Sequence, residues 1–231
     1  MLPRVNSADV TSWSLILGAA AGQPVDRDTF ARRYGPVIRA YLAARWHLAF
    51  DHAAVVDSTS DVFVECFKGG GALTRVDPKC PGGFRAFLYG VVRNVALMAE
   101  RKLARRREVP AANAHELENL ADSEASLSRV FDRAWAEAVV NEARAKMSER
   151  AERSPAAKRR FAALAMRFEQ SLPPRDIAVA TDMPVERVYE LLREARNEYR
   201  VILLEVMAGY HPSCGEAEVE RLCGELLASL R

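Results

Sequence analysis

Paired cysteines, long apolar runs and a dominant charge are all missing from this sequence of 231 residues. Its four cysteines are scattered without a Cys-x-x-Cys pair, which favours a reducing compartment over a disulfide-bonded scaffold. No apolar run approaches the length of a membrane-spanning helix, and the first residues lack the charged-then-apolar pattern of a signal peptide. We therefore expect a cytoplasmic protein with no membrane partner.

Two further absences limit the fold class and the chemistry. No segment alternates apolar and polar residues with the two-residue period of a strand, so we expect an all-α protein. The Gly-rich stretch 69–83, GGGALTRVDPKCPGG, lacks the Gly-Lys-Ser/Thr ending of a phosphate-binding loop. Acidic residues are common, but none lies in a recognisable catalytic context. The sequence therefore offers no recognisable motif for catalysis, and we expect no cofactor.

Positive charge is concentrated in one stretch, 84–107, FRAFLYGVVRNVALMAERKLARRR. The net charge of the chain is only +2, so any contact with nucleic acid must come from a local patch. This stretch contains seven basic residues and a single acid, Glu100. Its apolar residues follow the i, i+3, i+4, i+7 spacing of one helix face: Phe84, Phe87, Leu88, Val91, Val95 and Met98. A solvated polar face is one interpretation of the remainder, but the aromatic residues and the Arg-Asn pair favour nucleic acid, whose bases need stacking surfaces and amide edges.

The stretch 53–67, AAVVDSTSDVFVECF, predicts a second amphipathic helix. Asp57, Asp61 and Glu65 repeat at i+4 and form an acidic stripe on one side. The apolar residues can share another, buried side: Val55, Val62, Phe63, Cys66 and Phe67.

Two helices are predicted before the acidic stripe, at 11–21 and at 28–48. In the second of them Gly35-Pro36 interrupts the helical pattern. An interior proline removes a backbone hydrogen bond and costs about 3 kcal/mol, so we expect a kink or a late helix start there.

The composition changes abruptly after the basic stretch. Residues 108–127 contain five acids and no Lys or Arg, which we interpret as a flexible acidic linker. It would join two small helical domains, 1–107 and 128–207. Within the second domain, 173–200 predicts a short helix, a turn and a longer helix, which is the helix-turn-helix layout.

The tail, 208–231, predicts one more amphipathic helix. Its apolar stripe consists of Val219, Leu222, Cys223, Leu226, Leu227 and Leu230. We expect this stripe to pack on the helix-turn-helix domain beside Ile202, Leu203 and Val206. The alternative is that it covers a surface used to bind a protein partner or DNA and so regulates activity.

Three stretches taken together resemble the extracytoplasmic-function class of bacterial RNA polymerase sigma factors. VVDSTSDVFVECF is similar to the family's "DLVQEVF" helix in its region 2. FRAFLYGVVRNVALMAERKLARRR is similar to "FRAWLYGIARNVALDYLRRRRR". PPRDIAVATDMPVERVYELLREARNEYR is similar to the region 4 pattern "SYREIAEALGISEGTVKSRLHRARERLR", although Tyr189 and Leu191 stand where that pattern has basic residues.

The resemblance implies a sigma factor, which is not an enzyme but binds core RNA polymerase, directs it to promoter DNA and helps to open the duplex. The residues implied for core polymerase binding are Asp57, Asp61, Phe63 and Glu65. Those implied for the minus-ten element are Arg85, Arg93, Asn94, Arg101, Lys102 and Arg105. Those implied for the minus-thirty-five element are Arg187, Tyr189, Glu190 and Arg193. Whether an anti-sigma factor also binds this chain is left open.

Two other functions are compatible with parts of the sequence. A helix-turn-helix regulator that binds DNA without polymerase would explain 173–200 but would leave the basic and acidic helices without a role. A zinc enzyme could use His211, Cys214 and Cys223, but a fourth ligand is missing and the spacing fits no structural zinc site well. We therefore predict no metal site.

Overall fold

The computed structural model describes residues 12–77, 82–106 and 115–230, with side chains for all of these except 12, 104–106 and 115–123. Over these residues it contains nine α-helices and no strand, which confirms the predicted all-α class. In the same residues no helix is both long and apolar enough to cross a lipid bilayer. The helices are α1 (Ser12–Ala20), α2 (Pro24–Trp46), α3 (Ala53–Phe67), α4 (Gly83–Arg106), α5 (His115–Ala151), α6 (Pro155–Phe168), α7 (Pro174–Thr181), α8 (Val185–Tyr210) and α9 (Glu216–Ala228).

Contacts between residues divide the described chain into two units. The first unit consists of residues 12–138 and 209–230, and the second unit is Val139–Ala208. The boundaries fall inside α5 and α8, not in the acidic segment 108–127 that we interpreted as a flexible linker. Residues 107–114 lie outside the described part, but from His115 onward this segment is the beginning of α5. Ala, Glu and Leu dominate it, and these strong helix formers suit a helix as well as a linker.

An aromatic core holds the first unit together. We define it by its six buried members: Trp13, Phe30, Tyr34, Phe84, Trp135 and Tyr210. The Tyr34 and Trp135 rings stack with their centroids 5.5 Å apart, and Phe84 lies 5.2 Å from Tyr34. The indole N–H of Trp13 donates to the backbone carbonyl of Tyr210 at 2.9 Å. Residues from α1, α2, α4, α5 and the end of α8 therefore meet in one core.

The tail helix α9 is amphipathic, as predicted, with Val219, Cys223 and Leu226 buried. Its contacts group it with the first unit and not with the helix-turn-helix stretch, contrary to our expectation. The reason lies just before it in the chain, because Tyr210 is fixed in the aromatic core. His211 also packs on the start of α4, where a side chain on Gly83 would come within 3.0 Å of the imidazole ring.

Helix α2 is longer than the sequence indicated. It begins at Pro24, a residue type that suits a first turn, and continues through Pro36 to Trp46. The predicted late start at Gly35-Pro36 is therefore wrong, because the proline lies inside the helix. Pro36 itself is exposed, while its neighbours Val37 and Ile38 are fully buried. Burial of the apolar residues on either side offsets the lost hydrogen bond.

Helix α4 is rotated relative to the predicted face. Its most buried residues are spaced four apart: Phe84, Leu88, Val92 and Ala96. Of the predicted face, Phe87, Val91 and Val95 are half-buried, and Met98 is exposed. The last turns of the helix are exposed from residue 101 to residue 103, which gives them a free surface.

The second unit has its own apolar cluster, formed by Ala163, Ile177, Val188, Leu191 and Leu192. Leu191, which replaces a basic residue of the family pattern, is therefore a core residue. Helix α7 ends at Thr181, and Asp182 adopts the left-handed conformation with φ 51°. The chain can then turn into α8 within three residues.

Candidate functional site

The acidic stripe on α3 remains accessible. Asp57 and Asp61 are exposed and have no ion-pair partner among the described residues. Glu65 instead binds Lys68 one turn later, with Nζ and Oε2 2.6 Å apart. Burial of Val55, Val62 and Cys66 on the opposite side of α3 orients the two aspartates toward solvent.

Phe63, the fourth residue predicted for polymerase binding, lies mostly inside the first unit. It stacks on Phe67 at 5.9 Å and meets the edge of Phe30 at 6.4 Å. Since it is only half-exposed, its main contribution is to packing.

A cleft of about 850 Å³ separates α3 from the last turns of α4. Asp61 and Glu65 line one wall, and Arg101 and Lys102 line the other. The cleft also contains three large apolar side chains that are unusually exposed: Val64 (62%), Met98 (65%) and Leu103 (49%). The structure thus brings residues that the sequence assigned to polymerase and to DNA around one amphipathic cleft.

The sequence did not predict these apolar cleft residues as a surface. Met98 was assigned to a buried face, and Val64 was not singled out. The position of Val64 in the sequence could have indicated its exposure. It falls beside the acidic stripe on α3 and does not share the spacing of the buried residues Val55, Val62 and Cys66.

Two of the arginines predicted to contact the minus-ten element are neutralised by α5. The Arg85 guanidinium forms an ion pair with Asp132, and Arg93 Nε lies 3.1 Å from Glu124 Oε2. By contrast, Arg101 and Lys102 are exposed and have no carboxylate partner in the described chain, and Asn94 is exposed on the middle of α4. The side chain of Arg105 lies outside the described residues.

Glu124 and Arg93 belong to a larger charge cluster, which also contains Arg45 and Glu100. Arg45 is only 6% exposed and joins three helices: its Nε lies 2.6 Å from Glu100 on α4 and its Nη1 lies 2.9 Å from Glu124 on α5. The Trp46 indole donates to Glu100 at 2.8 Å, and the Tyr89 hydroxyl donates to Glu124 at 3.2 Å. These bonds hold the first half of α5 against α2 and α4.

The electrostatics of the charge cluster follow from burial and pairing. Burial raises the pKa of both Glu100 and Glu124, but hydrogen bonds from Arg45 and its neighbours outweigh it, and both pKa values lie below the ordinary 4.5. Burial, together with Tyr41 and Glu124, raises the pKa of Tyr89 to about 12, so its hydroxyl stays protonated and donates. The sequence did not predict this cluster, because Glu124 was assigned to a linker.

On α8 the basic residues predicted for the minus-thirty-five element differ in whether a neighbouring carboxylate already binds them. Arg187 binds Glu190 at 2.7 Å and lies 3.9 Å from Glu194, so its charge is compensated locally. Arg193 is exposed and has no carboxylate partner among the described residues. Tyr189 is also exposed and offers a ring for apolar contact.

The described residues contain no group of three or more His, Cys, Asp or Glu side chains that could hold a metal ion. In particular, His211 is half-buried against α4, and burial lowers its pKa. Cys214 is exposed, whereas Cys223 is buried.

Comparison with known proteins gives no family model that matches this chain and no curated relative. The geometry of the two units must therefore carry any functional argument.

Proposed function

We propose that this protein is a sigma factor of the extracytoplasmic-function class, which binds core RNA polymerase and promoter DNA and performs no chemistry itself. One observation carries the proposal. The polar residues that distinguish the sigma-like stretches, such as Asp57, Asp61 and Asn94, are exposed, whereas Val62 and Val92 on the same two helices are buried. Exposed charges of both signs on neighbouring helices suit contacts with a basic protein surface and with DNA. A role at the polymerase would place the protein in the cytoplasm.

The acidic stripe and the amphipathic cleft form the proposed polymerase surface. Asp57 and Asp61 would meet basic residues of the polymerase, and Val64 and Met98 would be covered by an apolar side chain at the centre of the contact. Interfaces of this kind combine an apolar centre with a polar rim. Charge complementarity speeds association and fixes orientation.

The basic surface of α4 would hold the minus-ten element. Arg101 and Lys102 are available as phosphate contacts, and Asn94 can offer its amide to an unstacked base. Arg85 and Arg93 would contact DNA only after exchanging Asp132 and Glu124 for phosphate oxygens. The acids of α5 therefore compete with DNA for the same two arginines.

Helices α7 and α8 would act as the helix-turn-helix that reads the minus-thirty-five element. Arg193 is better placed than Arg187 to contact a base, because Arg187 is already held by Glu190 and Glu194. A bidentate arginine–guanine contact contributes about 1–3 kcal/mol of discrimination. The Tyr189 ring can add an apolar contact, and Glu190 can restrain Arg187.

Affinity for core RNA polymerase tests the proposal. We expect the purified chain to bind core enzyme and the double variant Asp57→Arg, Asp61→Arg to bind roughly tenfold more weakly or worse, since two rim contacts become repulsive. The matched control reverses two exposed acids elsewhere, Glu152→Arg and Glu216→Arg, and should bind normally.

Two results would count against the proposal. Equal binding of the Asp57→Arg, Asp61→Arg variant and the control would remove the docking surface on α3. A chain that binds DNA but never core polymerase would instead be a helix-turn-helix regulator acting alone.

A further inference from the structure

An apolar cavity of about 320 Å³ lies within the second unit, between α5, α6 and α8. Met147, Phe161, Leu164 and Ala165 form much of its lining, and Phe168 stands at the end of α6 beside it. Phe168 is 64% exposed, although aromatic side chains of this size are usually covered. The volume falls within the range of small-molecule sites in proteins, about 300–1,000 Å³.

Polar bonds, in addition to packing, fix the spacing of the helices around this cavity. The Tyr199 hydroxyl on α8 donates to the backbone carbonyl of Val140 on α5 at 3.0 Å. Arg144 on α5 lies 2.5 Å from Glu169, which caps the end of α6. Because these bonds fix the spacing of all three helices, the cavity exists before any ligand arrives.

Among the described residues, one positive charge at the cavity forms no ion pair with a carboxylate. Arg196 lines the cavity and donates through Nε to the backbone carbonyl of Leu192 at 3.1 Å. Within the described chain its guanidinium makes no ion pair, whereas the other arginine of the lining, Arg144, is paired with Glu169. An anionic group could therefore bind Arg196 without displacing any existing partner.

We infer that this cavity binds a small amphipathic carboxylate, with its apolar chain against Met147, Phe161 and Leu164 and its carboxylate on Arg196. The apolar lining requires an apolar body, and Arg196 selects a negative head over a neutral one. Such a ligand would also cover part of Phe168. The inference concerns the second unit alone and does not depend on binding to polymerase.

Calorimetric titration of the full chain with decanoate tests the inference, with 1-decanol and acetate as comparison ligands. We expect decanoate to bind one to one with a negative heat-capacity change, which marks burial of apolar surface. Acetate lacks the apolar body and should not bind. Decanol lacks the charge and should bind at least roughly tenfold more weakly than decanoate, as expected for loss of one charge-assisted hydrogen bond.

Two matched arginine variants locate the carboxylate. Arg196→Gln should reduce decanoate affinity to that of decanol and leave decanol binding unchanged. Arg193→Gln, on the same helix but outside the cavity, should change neither. Ala165→Leu adds an isopropyl group to the lining and should abolish binding of both ligands, with helix content checked by circular dichroism.

No binding of decanoate to the wild-type chain would overturn the inference. Equal weakening by Arg196→Gln and Arg193→Gln would overturn it as well, since the charge would then act only at long range. Undiminished binding to a folded Ala165→Leu variant would place the ligand elsewhere on the protein. If Ala165→Leu does not fold, the arginine pair decides alone.

Discussion

Glu124 is the residue at which fold and proposed function meet. It accepts hydrogen bonds from Arg45 and Tyr89, which fix α5 on the first unit, and from Arg93, a residue proposed to contact DNA. A single carboxylate therefore contributes to stability and limits access to the basic surface.

The free energy of unfolding of the first unit should fall at acid pH, because Glu100 and Glu124 become protonated there. Both pKa values lie below 4.5 in the folded protein, so their stabilisation is fully present above pH 4.5 and is lost as the pH falls below it. Urea unfolding at several pH values should show Glu124→Gln less stable than wild type at pH 7, with the difference shrinking below pH 4.5. Glu137→Gln, an exposed acid on α5, is the control. A difference that stays constant with pH would contradict this account of the charge cluster.

Freeing Arg85 and Arg93 from their acids should strengthen binding to single-stranded DNA. The variant Glu124→Gln, Asp132→Asn removes both carboxylates while keeping the side-chain shapes. Each freed arginine should steepen the log-log salt dependence by about 0.7, the value for one phosphate contact on a single strand. The measurement is DNA affinity of the full chain over a range of salt concentrations.

Glu137→Gln with Glu152→Gln removes the same charge from exposed positions and controls for net charge. If both double variants gain the same affinity for DNA, the cause is the change in net charge of the chain. The ion pairs from α5 would then not limit DNA access.

Among the helices, the end of α8 contributes to the core of the first unit, although most of α8 belongs to the second unit. Tyr210 is buried against Trp135, with their ring centroids 5.2 Å apart. Truncation of a buried aromatic residue to Ala costs about 3–5 kcal/mol, so Tyr210→Ala should lower the free energy of unfolding by that amount. Tyr189→Ala, at an exposed ring on the same helix, should change it by less than about 0.5 kcal/mol.

Chemical denaturation monitored by circular dichroism measures both tyrosine variants. A Tyr210→Ala protein as stable as Tyr189→Ala would mean that the tail does not contribute to the aromatic core.

The sequence predicted which elements exist better than how they pack. The spacing of Val55, Val62 and Cys66 was sufficient to place the buried side of α3, because that helix has one strongly apolar face. On α4 nearly every face carries apolar residues, so the spacing alone could not select Val92 and Ala96 over Met98.

Two other differences arise from information that local patterns do not contain. The acids of 108–127 indicated a linker because their partners, such as Arg45, are far away in the sequence. Pro36 indicated a late helix start because the offsetting burial of Val37 and Ile38 comes from tertiary packing. The exposed residues Asp57, Asp61 and Asn94 were predicted correctly as surface positions, since no apolar pattern includes them.

In the whole molecule, one structural unit is built from two segments that are far apart in the sequence. Residues 209–230 complete the unit that contains the acidic stripe and the basic helix α4. Residues 209–230 therefore belong to the same unit as the proposed polymerase surface, although they come last in the sequence. The second unit keeps its own apolar cluster and its own cavity.

The most direct test of the proposed sigma-factor function is promoter-directed transcription. Purified bacterial core RNA polymerase would be supplied with this chain and a library of genomic promoters. With the wild-type chain we expect transcripts from a small, sequence-related set of promoters. These transcripts should be lost with Asp57→Arg, Asp61→Arg but not with Glu152→Arg, Glu216→Arg. Transcription that is no more promoter-specific with the chain than without it would contradict the proposal that this protein is a sigma factor.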